Sequence, residues 1–171
     1  MKNTQPLPFV IRLWLFLSAA FAWPIQWAAK RSHVKSGADP IRFAERLGQP
    51  SVSASGKQWI WVHAASLGEI GQARAVITQL IQDHGQNVVV TTMSQSGADW
   101  VAKEMPAAVH QFMPLDTPRA VAQFLDAWQP IRAVFIEGDL WPRLVLSAAQ
   151  RHIPLTLLNA RPSKSRERMP K

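Results

Sequence analysis

Residues 59–82 read WIWVHAASLGEIGQARAVITQLIQ, and a change of period inside them decides the fold class. Residues 59–63 are a run of large apolar and β-branched side chains, the composition of a buried strand. From Glu69 onward, Ile70, Ala73, Ile77, Leu80 and Ile81 recur on one helical face. Between the two lies Ala64-Ala65-Ser66-Leu67-Gly68, small enough for close approach of the backbone. The stretch predicts a strand, a tight turn and a helix, with Ser66 and Glu69 three apart at the helix start.

The same alternation continues downstream. Strands are expected at 87–92, 109–113, 132–136 and 154–158, with helices at 97–104, 119–128 and 142–152. The turn at 114–118 offers Asp116 or Thr117 as N-cap, Pro118 opens its helix, and Pro130 closes it. Strands separated by helical segments of this length make βαβ units, hence an α/β fold with a parallel sheet. Right-handed crossovers put every strand-to-helix turn on one edge of such a sheet. Ligands bind there, outside the carboxyl ends of the strands. The rule selects the turns 64–69, 93–96, 114–117 and 137–141, and the segment 159–165 after the last strand.

Flanking this core, the chain divides by composition. Residues 1–35 are an apolar helix with a basic flank. Residues 36–57 form a Gly-, Pro- and Ser-rich linker with one basic helical turn at 41–47. The α/β domain takes 58–160, and 161–171 begins a connection to a second domain. The uncharged run 13–29 is short for a span of about 20 residues, and Pro24 and Gln26 interrupt it. Trp14, Trp23 and Trp27 favour a membrane interface, and the run reads as a monotopic or marginally spanning helix. A buried helix and a cleaved signal peptide are the alternatives. The net charge of +8 sits at the two ends: the stretch 51–159 carries seven Lys or Arg against eight Asp or Glu. That layout argues against nucleic-acid binding by the core and for an anionic membrane surface near the termini. The Lys30-Arg31 flank places the body of the protein on the cytoplasmic side. Cysteine is absent, and no two histidines have ligand spacing, so a zinc site is not expected.

Each selected turn admits a structural and a functional reading. Ser66-x-x-Glu69 matches a capping box, in which the Ser66 hydroxyl accepts from the Glu69 N–H and the carboxylate returns to the Ser66 N–H. Alternatively Glu69 is a general base at the mouth of a cleft. The hydroxyl-rich turn Thr91–Gly97 either holds an anion or a sugar through backbone N–H groups, or is merely capped by Ser96. Glu137-Gly138-Asp139 puts two acids directly after an apolar strand. Asp139 suits a cap, while Glu137 has no such easy role. His63, Ser66 and an acid would make a hydrolase triad, but the strand-to-helix turn lacks a G-x-S-x-G elbow. The basic segment from Arg161 onward is either a solvated tail or a phosphate-binding edge.

Six pieces in register, RFAERLG (42–48), WVHAASLGE (61–69), VTTMSQSGA (90–98), PLDTPRAVAQFLDAWQP (114–130), EGDLWPRL (137–144) and IPLTLLNARPSKSR (153–166), resemble the N-terminal half of the Kdo (3-deoxy-D-manno-octulosonic acid) transferases of lipid A assembly. The resemblance implies the Rossmann-like N-terminal domain of a GT-B glycosyltransferase, metal-independent, inverting and with no cofactor beyond its donor CMP-Kdo. It implies transfer of Kdo to a 6-OH of a tetraacylated lipid A precursor at the cytoplasmic face of the inner membrane. By the same resemblance Glu69 is the general base and Glu137 stabilises the transition state, with Ser66, Gly68, Thr92, Ser96 and Arg161 around the substrate. Basic residues such as Arg42, Arg46, Arg161, Lys164 and Arg166 would lie near the lipid's phosphates or the bilayer. Asp139 stands where the family has Glu, Arg143 where Asn is common, and Pro162 where Leu is. Family members carry a second domain that holds most of the donor site. The chain is therefore expected to be the acceptor-binding half, inactive without a C-terminal half, or else a non-catalytic membrane-surface domain that binds glycolipid.

Overall fold

A computed structural model describes residues 6–137 and 141–159. The domain is a five-stranded, all-parallel sheet in the order β3-β2-β1-β4-β5. Its strands are β1 (Trp59–His63), β2 (Asn87–Thr92), β3 (Val109–Phe112), β4 (Pro130–Ile136) and β5 (Leu155–Leu158). Counting from the N-terminus, the helices are α1 (Phe9–Ala20), α2 (Ala22–Lys35), α3 (Phe43–Arg46), α4 (Leu67–Gln82), α5 (Gln95–Glu104), α6 (Pro118–Trp128) and α7 (Pro142–Gln150). The expected α/β class and every expected strand and helix of the domain are present.

β1 is central and buried along its whole length, and its alternating side chains split the core in two. Trp59 and Trp61 face α6 and α7 with Phe124, Trp128 and Phe135. Ile60 and Val62 face α4 and α5 with Ile70, Ile77 and Val101. The large indoles are affordable in the core because each N–H finds an acceptor. Trp59 donates to Ala54 O at 2.9 Å, Trp61 to Thr91 Oγ1 at 2.8 Å and Trp128 to Gln111 Oε1 at 2.6 Å.

Several local expectations are corrected. Helix α6 ends in Gln129, at φ 43°, and Pro130 opens β4 instead of closing the helix. Proline is tolerated at the first residue of a strand because no ladder N–H is required of it there. Within the stretch expected as a linker, the helical turn expected at 41–47 is present, as a 3₁₀ turn at Pro40–Arg42 that leads into α3. Glu45 of α3 is buried and accepts the Phe112 N–H at 2.7 Å and a two-pronged Arg42 pair at 2.7 and 2.9 Å. α3 thus covers the open edge of β3, where an unpaired strand would otherwise invite association. Gly48, at φ 88°, closes α3 against α6, and a Cβ there would lie 2.1 Å from Ala120 O.

α1 and α2 meet at a bend of 79°, and among the described residues no single helix is long and apolar enough to cross a membrane. α1 is clamped to the domain. Arg143 donates to Leu15 O and to the buried Ser18 Oγ (2.9 Å), and the Trp14 indole N–H donates to Asp116 Oδ2 at 2.5 Å. Arg143, one of the departures from the family pattern, therefore has a defined task as the α1 clamp. Its guanidinium pKa is lowered, chiefly by burial, with Asp116 opposing the shift.

Candidate active site

All parallel strands deliver their carboxyl ends to one edge, and the candidate residues gather there. At the start of α4, Ser66 is the N-cap. Its Oγ accepts from the Glu69 N–H at 3.3 Å, and its hydroxyl lies 3.1 Å from Glu69 Oε1. The other carboxylate oxygen accepts the Ala65 N–H at 2.7 Å. The capping box therefore exists with one change: the return bond reaches Ala65, one residue before the Ser66 N–H expected. Two hydrogen bonds fix the carboxylate, yet a carboxylate has about four lone-pair sites, so capacity remains to accept a hydroxyl proton. Gly68 is exposed, and a Cβ there would find nothing nearer than Ser66 Oγ at 4.0 Å. Its missing side chain leaves open space beside Ser66 and Glu69 and relieves no crowding within the chain.

At the end of β4, Glu137 adopts φ 65°, a conformation uncommon for any residue but glycine. Its N–H is fixed to Leu158 O at 2.8 Å. Its Oε1 accepts from Gln72 Nε2 at 3.1 Å and Asn159 Nδ2 at 3.3 Å, and Asn159 Nδ2 donates to Gln72 Oε1 at 2.5 Å. Glu69 and Gln72 are three apart on α4 and share a face. One helix therefore carries the first acid and the amide that holds the second. The sequence does not single out Gln72, and it marks Asn159 only as the first residue of the selected segment 159–165. The i, i+3 relation to Glu69 was the available signal for Gln72, and the end of β5 was the signal for Asn159.

Other expected site residues are placed differently. Thr92 is fully buried. Its hydroxyl lies 3.2 Å from Ser94 O and 3.0 Å from His110 Nε2, and its side chain packs against Gly97, so it shapes the turn and does not face a ligand. The cap of α5 is Ser94, whose Oγ accepts from the Gly97 N–H at 3.2 Å. Ser96 lies in the first turn of the helix, exposed, 3.1 Å from Ser94 Oγ. Asp116 does not cap α6. Its carboxylate accepts the Arg143 and Leu144 N–H groups at 3.1 and 2.9 Å and so caps α7. Gly138, Asp139 and Arg161 lie outside the described residues.

Arg42 and Arg46 are half-buried and already bonded within the domain. Arg42 is bound by Glu45 and His110. Arg46 donates to Met93 O and to Met113 O (3.3 Å), tying the second turn to the third. Burial lowers its pKa to about 10 against the opposing pull of Glu45. His63 donates to or accepts from Thr91 at 2.9 Å and stacks edge-on to Phe135. Burial, reinforced by Arg46, lowers its pKa to about 4. The Ser66 hydroxyl pairs with Glu69 and the His63 ring with Thr91, so the hydrolase triad is not assembled. Among the described residues, no group of three His, Asp or Glu could hold a metal ion.

The comparisons with known proteins give the family. The family model described as 3-deoxy-D-manno-octulosonic-acid transferase (kdotransferase) matches residues 41–170. A probable mitochondrial 3-deoxy-D-manno-octulosonic acid transferase of Arabidopsis thaliana is 40% identical over 124 residues, 71% of this chain and 28% of the relative. The 3-deoxy-D-manno-octulosonic acid transferase of Haemophilus influenzae is 35% identical over 131 residues, 75% of this chain and 31% of its own length. That of Rickettsia bellii is 34% identical over 158 residues, 90% and 37% respectively. The chain spans about a third of the length of the curated relatives it matches.

Proposed function

The chain belongs to the 3-deoxy-D-manno-octulosonic-acid transferase family, and from that premise we propose that it is the acceptor-binding part of a glycosyltransferase that moves Kdo from CMP-Kdo to a lipid A precursor in lipopolysaccharide biosynthesis. The observation that carries this reading is the geometry of Glu69. Its carboxylate is held at the ligand-binding edge by the Ala65 N–H and Ser66 hydroxyl, with acceptor capacity left over and an open turn in front. In the proposed step an acceptor hydroxyl passes its proton to Glu69 as its oxygen attacks the anomeric carbon of Kdo. The bond from that carbon to the CMP phosphate breaks, and CMP leaves with the electron pair. Glu137, held by Gln72 and Asn159, supports the charge that builds on the sugar in the transition state. Donor binding falls to a second domain, for which the greater length of the relatives leaves room.

The α1–α2 elbow is the proposed contact with the cytoplasmic face of the inner membrane. Phe9 and Trp23 are 75% and 76% exposed, and Phe16, Phe21 and Trp27 are exposed with them. Large apolar side chains exposed together on two adjoining helices suit an interaction site. Exposed Lys30, Arg31 and Lys35 follow on α2, placed to meet anionic headgroups. The bend and the clamp of α1 onto α7 favour a helix pair lying in the interface over a straight span.

The test is transfer of Kdo from CMP-Kdo to a tetraacylated lipid A precursor in vesicles, by this chain with and without a separately expressed C-terminal half of a relative. Transfer in either arm supports the reading. Glycolipid binding with no transfer in both arms favours a non-catalytic glycolipid-binding domain.

A further inference from the structure

We propose that a cavity beneath the α1–α2 elbow takes one acyl chain of the glycolipid acceptor and so sets where its sugar lies relative to Glu69. The inference rests on the acceptor reading above and adds a site to it. The cavity measures about 180 Å³ and is lined by Trp14 of α1, Ile25 of α2, Met93, Leu115 and Thr117 from the turns after β2 and β3, and Trp141 before α7. Its size is below the roughly 300–1,000 Å³ of pockets for whole drug-sized ligands, so it suits a segment of one chain and not a headgroup.

Four features point to that occupant. First, the walls are mostly apolar, and the charged groups beside them are already spent. Arg46 is bound to Met93 O and Met113 O, and Asp116 to the N-terminus of α7. A nucleotide or a free sugar would find little to pair with, whereas an alkyl chain gains from leaving water. Second, two buried polar atoms on the lining residues, Thr117 Oγ1 and Trp141 Nε1, have no partner among the described residues. Such groups are uncommon in a finished core, and the carbonyl or hydroxyl oxygen of an acyl group would satisfy them. Third, three wall residues, Trp14, Ser18 and Ile25, belong to the helices that expose Phe9, Phe16 and Trp23. A chain leaving a membrane against those faces meets the same two helices that wall the cavity. Fourth, the cavity adjoins the site. The Met93 N–H donates to Ala65 O at 3.2 Å, and the Ala65 N–H donates to Glu69. A chain seated against Met93 therefore lies one backbone link from the turn that aims the proposed base.

The experiment is photocrosslinking with the 171-residue chain in phosphatidylethanolamine–phosphatidylglycerol vesicles. One arm carries a tetraacylated, bisphosphorylated glucosamine disaccharide with a diazirine in one acyl chain, and the other a diazirine-labelled phosphatidylglycerol. Peptide mapping locates the adducts. The expected result is saturable labelling of Ile25, Met93 or Leu115 by the glycolipid, at least tenfold reduced in Leu115→Trp and in Ile25→Trp, which fill the cavity from the turn after β3 and from α2. Both variants should still bind the vesicles. Adducts confined to Phe9, Phe16 and Trp23 overturn the cavity while leaving the membrane surface standing. Equal labelling by the phospholipid, undiminished by glycolipid competitor, overturns the assigned occupant. No saturable glycolipid labelling at any residue overturns the acceptor reading itself.

Discussion

Removing the Asp116 carboxylate should loosen both the domain and its N-terminal elbow. One side chain, 7% exposed, holds three donors: the Arg143 and Leu144 N–H groups of the first turn of α7, and the Trp14 indole of α1. Losing a helix cap costs about 1 kcal/mol and up to about 2, and removing a negative charge from a partly buried helix N-terminus adds up to about 2. The exposed side of Trp14 can return to water, so its bond adds little. Asp116→Ala is therefore expected to lose about 2–4 kcal/mol. At roughly 2–4 °C per kcal/mol for a chain of this size, the melting temperature falls by roughly 4–16 °C. Thermal unfolding followed by circular dichroism reads the loss. Proteolysis should cut between α1 and α2 sooner in the variant than in the parent chain, since Arg143 is left as the main polar clamp on α1. A melting temperature within about 2 °C of the parent and an unchanged cleavage pattern would refute the capping argument.

Three further outcomes follow from particular contacts. Gly48→Ala puts a Cβ 2.1 Å from Ala120 O at a φ of 88°, and a loss of about 3 kcal/mol or more from strain and overpacking should show as a lower urea midpoint. His63 and His110 have pKa values lowered to about 4 and about 3, both chiefly by burial, with Arg42 and Arg46 adding to the effect on His110 and Arg46 to that on His63. The unfolded chain therefore binds more protons than the folded one below about pH 6.5, and stability, present in full above that pH, should fall by several kcal/mol on the way down to about pH 4. Urea midpoints at pH 7.5 and pH 5 check it. Gln72→Ala removes a donor to Glu137 from an exposed position. Transfer in the reconstituted enzyme should fall on the order of tenfold, with the melting temperature nearly unchanged.

The architecture was legible because β1 and α4 announce themselves by period: five buried residues in a row, then Ile70, Ala73 and Ile77 on one stripe. The cap at Ser66 was legible because its partner is three residues away. What sequence order hid are bonds that cross long stretches of chain. Glu45 meets the Phe112 N–H across 67 residues, and that contact turns a Gly- and Pro-rich segment into the cover of a sheet edge. Asp116 sits beside the start of α6 but spends its carboxylate 27 and 28 residues on, at α7. Ser94 and Ser96 differ little in local pattern, and the tight fit of Gly97 on Thr92 goes with the helix that starts after Ser94. Arg42 and Arg46 read as membrane-facing charges because nothing local shows that His110, Met93 and Met113 wait for them.

Glu69 carries the central claim, and Glu69→Gln tests it most directly. Glutamine keeps an oxygen for the Ala65 N–H and is itself a capping-box residue, so the fold should melt within a few degrees of the parent. It cannot take a proton. In the chain combined with a C-terminal half, transfer of Kdo to the lipid A precursor should drop by about 10²–10⁴-fold while glycolipid binding persists. Transfer at the parental rate by a folded Glu69→Gln would contradict the account and leave the carboxylate as a helix cap alone.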